Sequence, residues 1–112
     1  MTAVTPPEVE TPELIKAKII TETARINWLE LQKFYAAGAV IMVDPRLDLV
    51  EVAFAFSQDQ KTPVSQWLAE GLVARVTDEQ AQQWHSAGAE LWAVVISPWV
   101  LVQDKPLPQN LN

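Results

Sequence analysis

The sequence predicts a small, soluble α+β domain of about three short strands backed by about four helices, in the order α-β-α-α-β-α-β. Three observations predict it. Apolar residues recur at helical spacing between proline-led starts and the glycines Gly38, Gly71 and Gly88. Short runs rich in β-branched residues separate those stretches. A chain of 112 residues, 49% hydrophobic and 20% charged, is long enough for one core without covalent staples, and its strands are too few for a doubly wound sheet.

Thr11-Pro12-Glu13 supplies a capping hydroxyl, a proline for the first helical position and an acid for the first turn. A first helix is expected from about Pro12 to Ala37, closed by Gly38. Ile15, Ile19 and Ile26, continued by Ala24, Trp28, Leu31 and Tyr35, give it one broad apolar stripe. Ala39-Val40-Ile41-Met42-Val43 follows as the first strand. The segment from Leu47 to Phe56 fits either type, since Val50, Val52, Phe54 and Phe56 alternate while Asp48, Glu51, Ala55 and Gln58 share a helical face. Asp44-Pro45 favours a helix, as a cap followed by proline at the first position.

Thr62-Pro63 repeats that start signal, and Val64, Trp67 and Leu68 form an apolar side before Gly71. Leu72 to Val76 is the second strand. Thr77-Asp78-Glu79-Gln80 has the spacing of a capping box and opens a fourth helix that carries Ala81, Trp84 and His85 toward Gly88. Leu91 to Ile96 and Trp99 to Val102 make the final strand element, with Ser97-Pro98 as a bulge or bend. The domain is expected over residues 12–103, between flexible segments at 1–11 and 104–112.

Several classes of function are argued down by composition. With no cysteine there are no disulfides, thiolate metal sites or cysteine nucleophiles. Residues 1–11 lack the charge and apolar core of a signal peptide, so a cytoplasmic location is expected. The most apolar stretch, Leu91 to Val102, is about half of the roughly 20 residues that a membrane-spanning helix needs. A net charge of −6 and scattered basic residues argue against nucleic acid as a partner. The glycines sit at helix ends rather than in phosphate-cradling loops. No cofactor is expected.

Two groups of residues are candidates for function. Asp44, Asp48 and Glu51 lie four and three apart, so on one helix face they could offer oxygen ligands to a divalent metal such as Mg²⁺ or Ca²⁺. The alternative is structural: acids in a first helical turn suit its dipole, Asp44 is a cap, and Arg46 is near enough to pair. His85 is the one histidine, and Ser57, Ser65, Ser86 and Ser97 lie in no nucleophile-elbow context, so no catalytic residue is assigned.

The five tryptophans are the second group. Trp28, Trp67 and Trp84 fall on apolar helix faces and are read as core. Trp92 and Trp99, on either side of Pro98, could present an aromatic surface at a sheet edge or end. The leading expectation is a non-enzymatic interaction protein, a homodimer or the partner of another protein, working through Trp92, Pro98 and Trp99. A small-ligand or divalent-metal-binding protein, with or without catalysis, using Asp44, Asp48 and Glu51 is the alternative.

Several segments together resemble a known family: Glu22-Thr23-Ala24-Arg25-Ile26-Asn27-Trp28, Leu47-Asp48-Leu49-Val50-Glu51-Val52-Ala53, Trp67-Leu68-Ala69, and Leu91-Trp92-Ala93-Val94-Val95 through Pro98-Trp99-Val100-Leu101-Val102-Gln103. The chain resembles the uncharacterised bacterial proteins, also common in cyanobacteria, catalogued as domain of unknown function 2288. The resemblance runs from about Pro12 to Gln103. It implies a bacterial cytoplasmic setting and brings no reaction, ligand or catalytic residue.

Overall fold

A computed structural model describes residues 11–105; the expected N-terminal segment up to residue 10 and the tail from residue 106 lie outside them. The elements are α1 (Pro12–Glu22), β1 (Ala24–Asn27), α2 (Trp28–Ala36), β2 (Val40–Val43), α3 (Leu49–Ser57), α4 (Lys61–Ala69), β3 (Val73–Arg75), α5 (Asp78–Ala87), β4 (Glu90–Ile96) and β5 (Trp99–Gln103). The α+β class stands, with five strands and five helices among the described residues in place of about three and about four.

All five strands join one sheet in the order β1-β4-β5-β2-β3. Neighbours run antiparallel except β5 and β2, which are parallel. Side chains alternate across the sheet with the two-residue period of a strand, so the interior strands β2, β4 and β5 each feed two cores. Leu91, Ala93, Val100, Val102 and Val40 face α2 and α5, where Trp28, Leu31, Ala81 and Trp84 complete the first core. Val94, Leu101, Ile41, Val43 and Val73 face the opposite way, toward Ile19 of α1 and Leu49, Val52 and Ala53 of α3.

The expected helix from Pro12 to Ala37 is two helices separated by β1. Thr23 ends α1 in an extended conformation, its hydroxyl donating to the Ile19 carbonyl at 2.6 Å. Asn27 caps α2 by accepting from the Leu29 amide at 2.9 Å. Between them Arg25 and Ile26 pair with Trp92 and Leu91. The break has a packing cause: Ile15 and Ile19 belong to one core, and Ile26, Trp28, Leu31 and Tyr35 to the other. A straight helix would hold the whole stripe on one side of the sheet; β1 carries the chain across it.

The last strand element is likewise two strands. Ser97-Pro98, joined by a cis peptide bond, is the turn of a β4–β5 hairpin in which Ile96 faces Trp99 and Trp92 faces Gln103. Proline cannot donate to a ladder, and here the chain reverses at it rather than bulging.

Helix starts also shift. The segment after Asp44-Pro45 is helical, but α3 opens four residues later, on Asp48, whose Oδ1 accepts from the Val50 amide at 2.9 Å. Asp44 instead closes the preceding turn by accepting from the Arg46 amide at 2.8 Å. Helix α4 begins at Lys61, one residue before the expected threonine, and Gln60 gives it no side-chain cap. At α5 half of the capping box forms: Thr77 Oγ1 accepts from the Gln80 amide at 3.1 Å, while the Gln80 side chain turns to Gln83. Gly88 ends α5 at φ 59°, a left-handed conformation that costs glycine nothing. Asp104 accepts from the Trp84 indole at 3.1 Å, and the Lys105 carbonyl accepts from Arg25 Nη1 at 2.8 Å.

Among the described residues no helix is long and apolar enough to cross a membrane.

Candidate functional site

Trp99 opens β5 directly after the hairpin turn, and strand alternation points it to the α3 side of the sheet. On that side lies a cleft of about 580 Å³, lined by Ile96, Pro98 and Trp99 of the hairpin, by Lys61, Ser65 and Leu68 of α4, and by the end of α3. Ile41 and Val73 lie along its base, and Leu68 remains 51% exposed at its rim. Ile96, Pro98, Trp99 and Leu68 make part of this lining apolar, a form in which an incoming apolar group removes area from water on both partners.

Two cations and one acid enter the cleft. Arg75, the last residue of β3, reaches across the intervening strand β2 until its guanidinium carbon stands 5.7 Å from the Trp99 ring centroid. Such an approach is favourable for the cation and holds the ring in place. Lys61 and Asp59 flank the start of α4. Asp59 has φ 53°, in the left-handed region that aspartate and asparagine tolerate better than most residues.

Residues 14–104 match the family DUF2288, protein of unknown function. The chain belongs to this family. The match agrees with the resemblance carried by the segments between Glu22 and Gln103. The DUF2288 chain is also similar to a solved structure, described as the NMR solution structure of PA1075 from Pseudomonas aeruginosa. The two are 38% identical, with 99% of this chain and 100% of that one covered and a TM-score of 0.74. No curated protein matches.

Within this DUF2288 fold the three residues expected to form one aromatic surface separate. Pro98 is exposed and Trp99 half-buried at the turn. Trp92 lies on the same face but four residues back along β4, about 13 Å at the rise of a strand. It lines a different groove, with Thr23, Leu47 and Gln103, and the Arg25 guanidinium stands 5.4 Å from its ring. Neither tryptophan is at a sheet edge, since β4 and β5 are interior strands and β1 and β3 are the edges.

The acidic trio also has separate engagements. Both carboxylate oxygens of Asp44 accept from Arg46, at 2.9 Å from Nε and 3.1 Å from Nη2. Those side-chain bonds, then the Arg46 amide and the guanidinium charge, hold the Asp44 carboxyl below its usual range. Asp48 caps α3, and Glu51 pairs with Lys16 at 3.0 Å. Among the described residues no three His, Cys, Asp or Glu side chains form a group that could hold a metal ion. His85 is exposed in the last turn of α5, with its Nδ1 3.3 Å from Gln32 Nε2.

Arg75, Lys61 and Leu68 were not among the expected site residues. In the sequence Arg75 is one dispersed base and Leu68 one position of a helical face. Only the β5-β2-β3 order brings the first beside Trp99, and only the packing of α4 brings the second opposite it.

Proposed function

We propose that this DUF2288 chain is a non-enzymatic binding protein whose contact surface is the cleft beside Pro98 and Trp99. The observation that carries this reading is Trp99 itself: a half-buried ring, braced by Arg75 and open to a cleft whose facing wall is the exposed Leu68. Aromatic anchors set in partly desolvated clefts, with arginine beside them, are the arrangement in which a few residues carry most of a binding energy. The chemistry-bearing residues elsewhere support a binding role over a catalytic one. Asp44, Asp48 and Glu51 each serve a salt bridge or a cap, and His85 faces an amide.

The test is a screen of small fragments and short peptides of mixed chemistry against the isotope-labelled chain. Shifts clustered on α4, the hairpin turn and the Trp99 indole, and lost in Trp99→Ala, support the reading. Shifts that gather around Trp92 or scatter over α2 and α5 sink it. Light scattering at tens of micromolar, run on the same chain and variant, tells a second copy of this chain from a foreign partner.

A further inference from the structure

We infer that the occupant of this cleft is an extended protein segment that presents a carboxylate next to a bulky apolar side chain. The inference rests on the cleft being the binding surface and adds what the surface selects. Its basis is charge. The chain carries a net charge of −6, yet the cations Arg75 and Lys61 meet at this cleft against the single acid Asp59. Elsewhere Lys16 is paired with Glu51 and Arg46 with Asp44. Arg75 stands over the Trp99 ring, and its fork of N–H donors can serve an acceptor in the cleft as well.

A carboxylate matches that fork, and beside an apolar wall the bond is less diluted by water than on an open surface. Ile96, Trp99 and Leu68 line the same cleft as the two cations, so the anionic group is expected to be attached to something apolar. The cleft's rim residues Leu68 and Pro98 are both exposed. An occupant that meets Lys61 at the start of α4, Arg75 at the end of β3 and the Ile96 to Trp99 wall together has to span three elements, as an extended stretch of chain does. The N-terminal turn of α4, which has no side-chain cap, adds potential of the same sign without being required.

The test uses two pools of blocked hexapeptides that are identical except for Glu or Gln beside Leu and Phe, with 4-phenylbutyrate as a third probe. Binding to the full chain is read from the Trp99 indole and α4 amide shifts. The Glu pool is expected to bind about tenfold more tightly than the Gln pool, as a charge-assisted bond implies. Arg75→Gln removes that preference, Lys61→Gln reduces it, and Asp59→Asn strengthens binding of the Glu pool. Both basic residues are exposed, so their variants keep the fold, which a thermal melt checks.

Equal binding of the two pools at Trp99 overturns the inference and leaves the cleft as the binding surface. Tighter binding of phenylbutyrate than of the Glu pool also overturns it, in favour of a free acid. If neither pool moves Trp99 at millimolar concentration the inference falls, and the mixed-chemistry screen then decides separately whether the cleft binds anything.

Discussion

The two faces of the sheet use tryptophan in opposite ways. On the α2–α5 face Trp28 and Trp84 are 1% and 3% exposed, with ring centroids 5.1 Å apart, and Tyr35 packs 5.6 Å from Trp28. On the α3 face Trp92 and Trp99 keep one side toward solvent, and each has an arginine against its ring. The first arrangement removes the most area from water and has nothing left to offer a partner. The second leaves area unburied and fixes it in position. On the proposed reading, tryptophan on the first face serves stability and Trp99 on the second serves binding.

The largest effect that could break this contrast comes from Trp28→Ala. Truncating a fully buried aromatic side chain is expected to cost about 3–5 kcal/mol in denaturant unfolding. Trp99→Ala is expected to cost about 2 kcal/mol, because its ring is only partly buried. Equal losses would remove the distinction between the faces. The indole groups sharpen it further. The Trp28 N–H has no hydrogen-bond partner among the described residues, whereas that of Trp84 donates to Asp104. Trp84→Phe forfeits that bond, about 1 kcal/mol, and Trp28→Phe forfeits none. The second variant loses only ring volume.

The smallest effect is confined to alkaline pH. The Tyr35 hydroxyl donates to Asp78, and that bond, then burial, then the Asp78 charge raise the phenol above its ordinary pKa. A raised folded-state pKa gives stability that is complete below the unfolded value, about 10, and is lost as pH rises through the folded one. The difference in melting temperature between the native chain and Tyr35→Phe should therefore hold from pH 7 to 9 and shrink above it. A gap unchanged at the alkaline end would detach Tyr35 from Asp78.

Much of the fold was legible because its signals are local. Thr11 and Thr77 cap the helices they were expected to cap, Gly88 ends α5, and Leu49 to Ser57 is helical despite its alternating valines and phenylalanines. What was not legible depends on which side of the sheet a residue faces. The spacing from Ile15 to Tyr35 is helical throughout, and spacing alone carries no sign of a strand that moves the stripe from one core to the other. The hairpin at Pro98 was misread for a related reason: apolar runs on both sides of a proline look alike whether the chain bends or reverses. The proposed cleft was visible in the sequence only in part. Trp99 and Pro98 stood out by composition, but Arg75 and Leu68 join them only through strand order and helix packing. The acids at Asp44, Asp48 and Glu51 had the spacing for a shared ligand, and Arg46, the α3 amides and Lys16 take them one by one.

The most direct measurement of the central claim is the tryptophan indole N–H spectrum recorded while the Glu-bearing peptide pool is added. Resonances are assigned by single Trp→Phe variants. The account predicts that the Trp99 signal moves and saturates while those of Trp28 and Trp84 stay fixed. A Trp99 signal that stays fixed while Trp92 or the buried pair responds would contradict it.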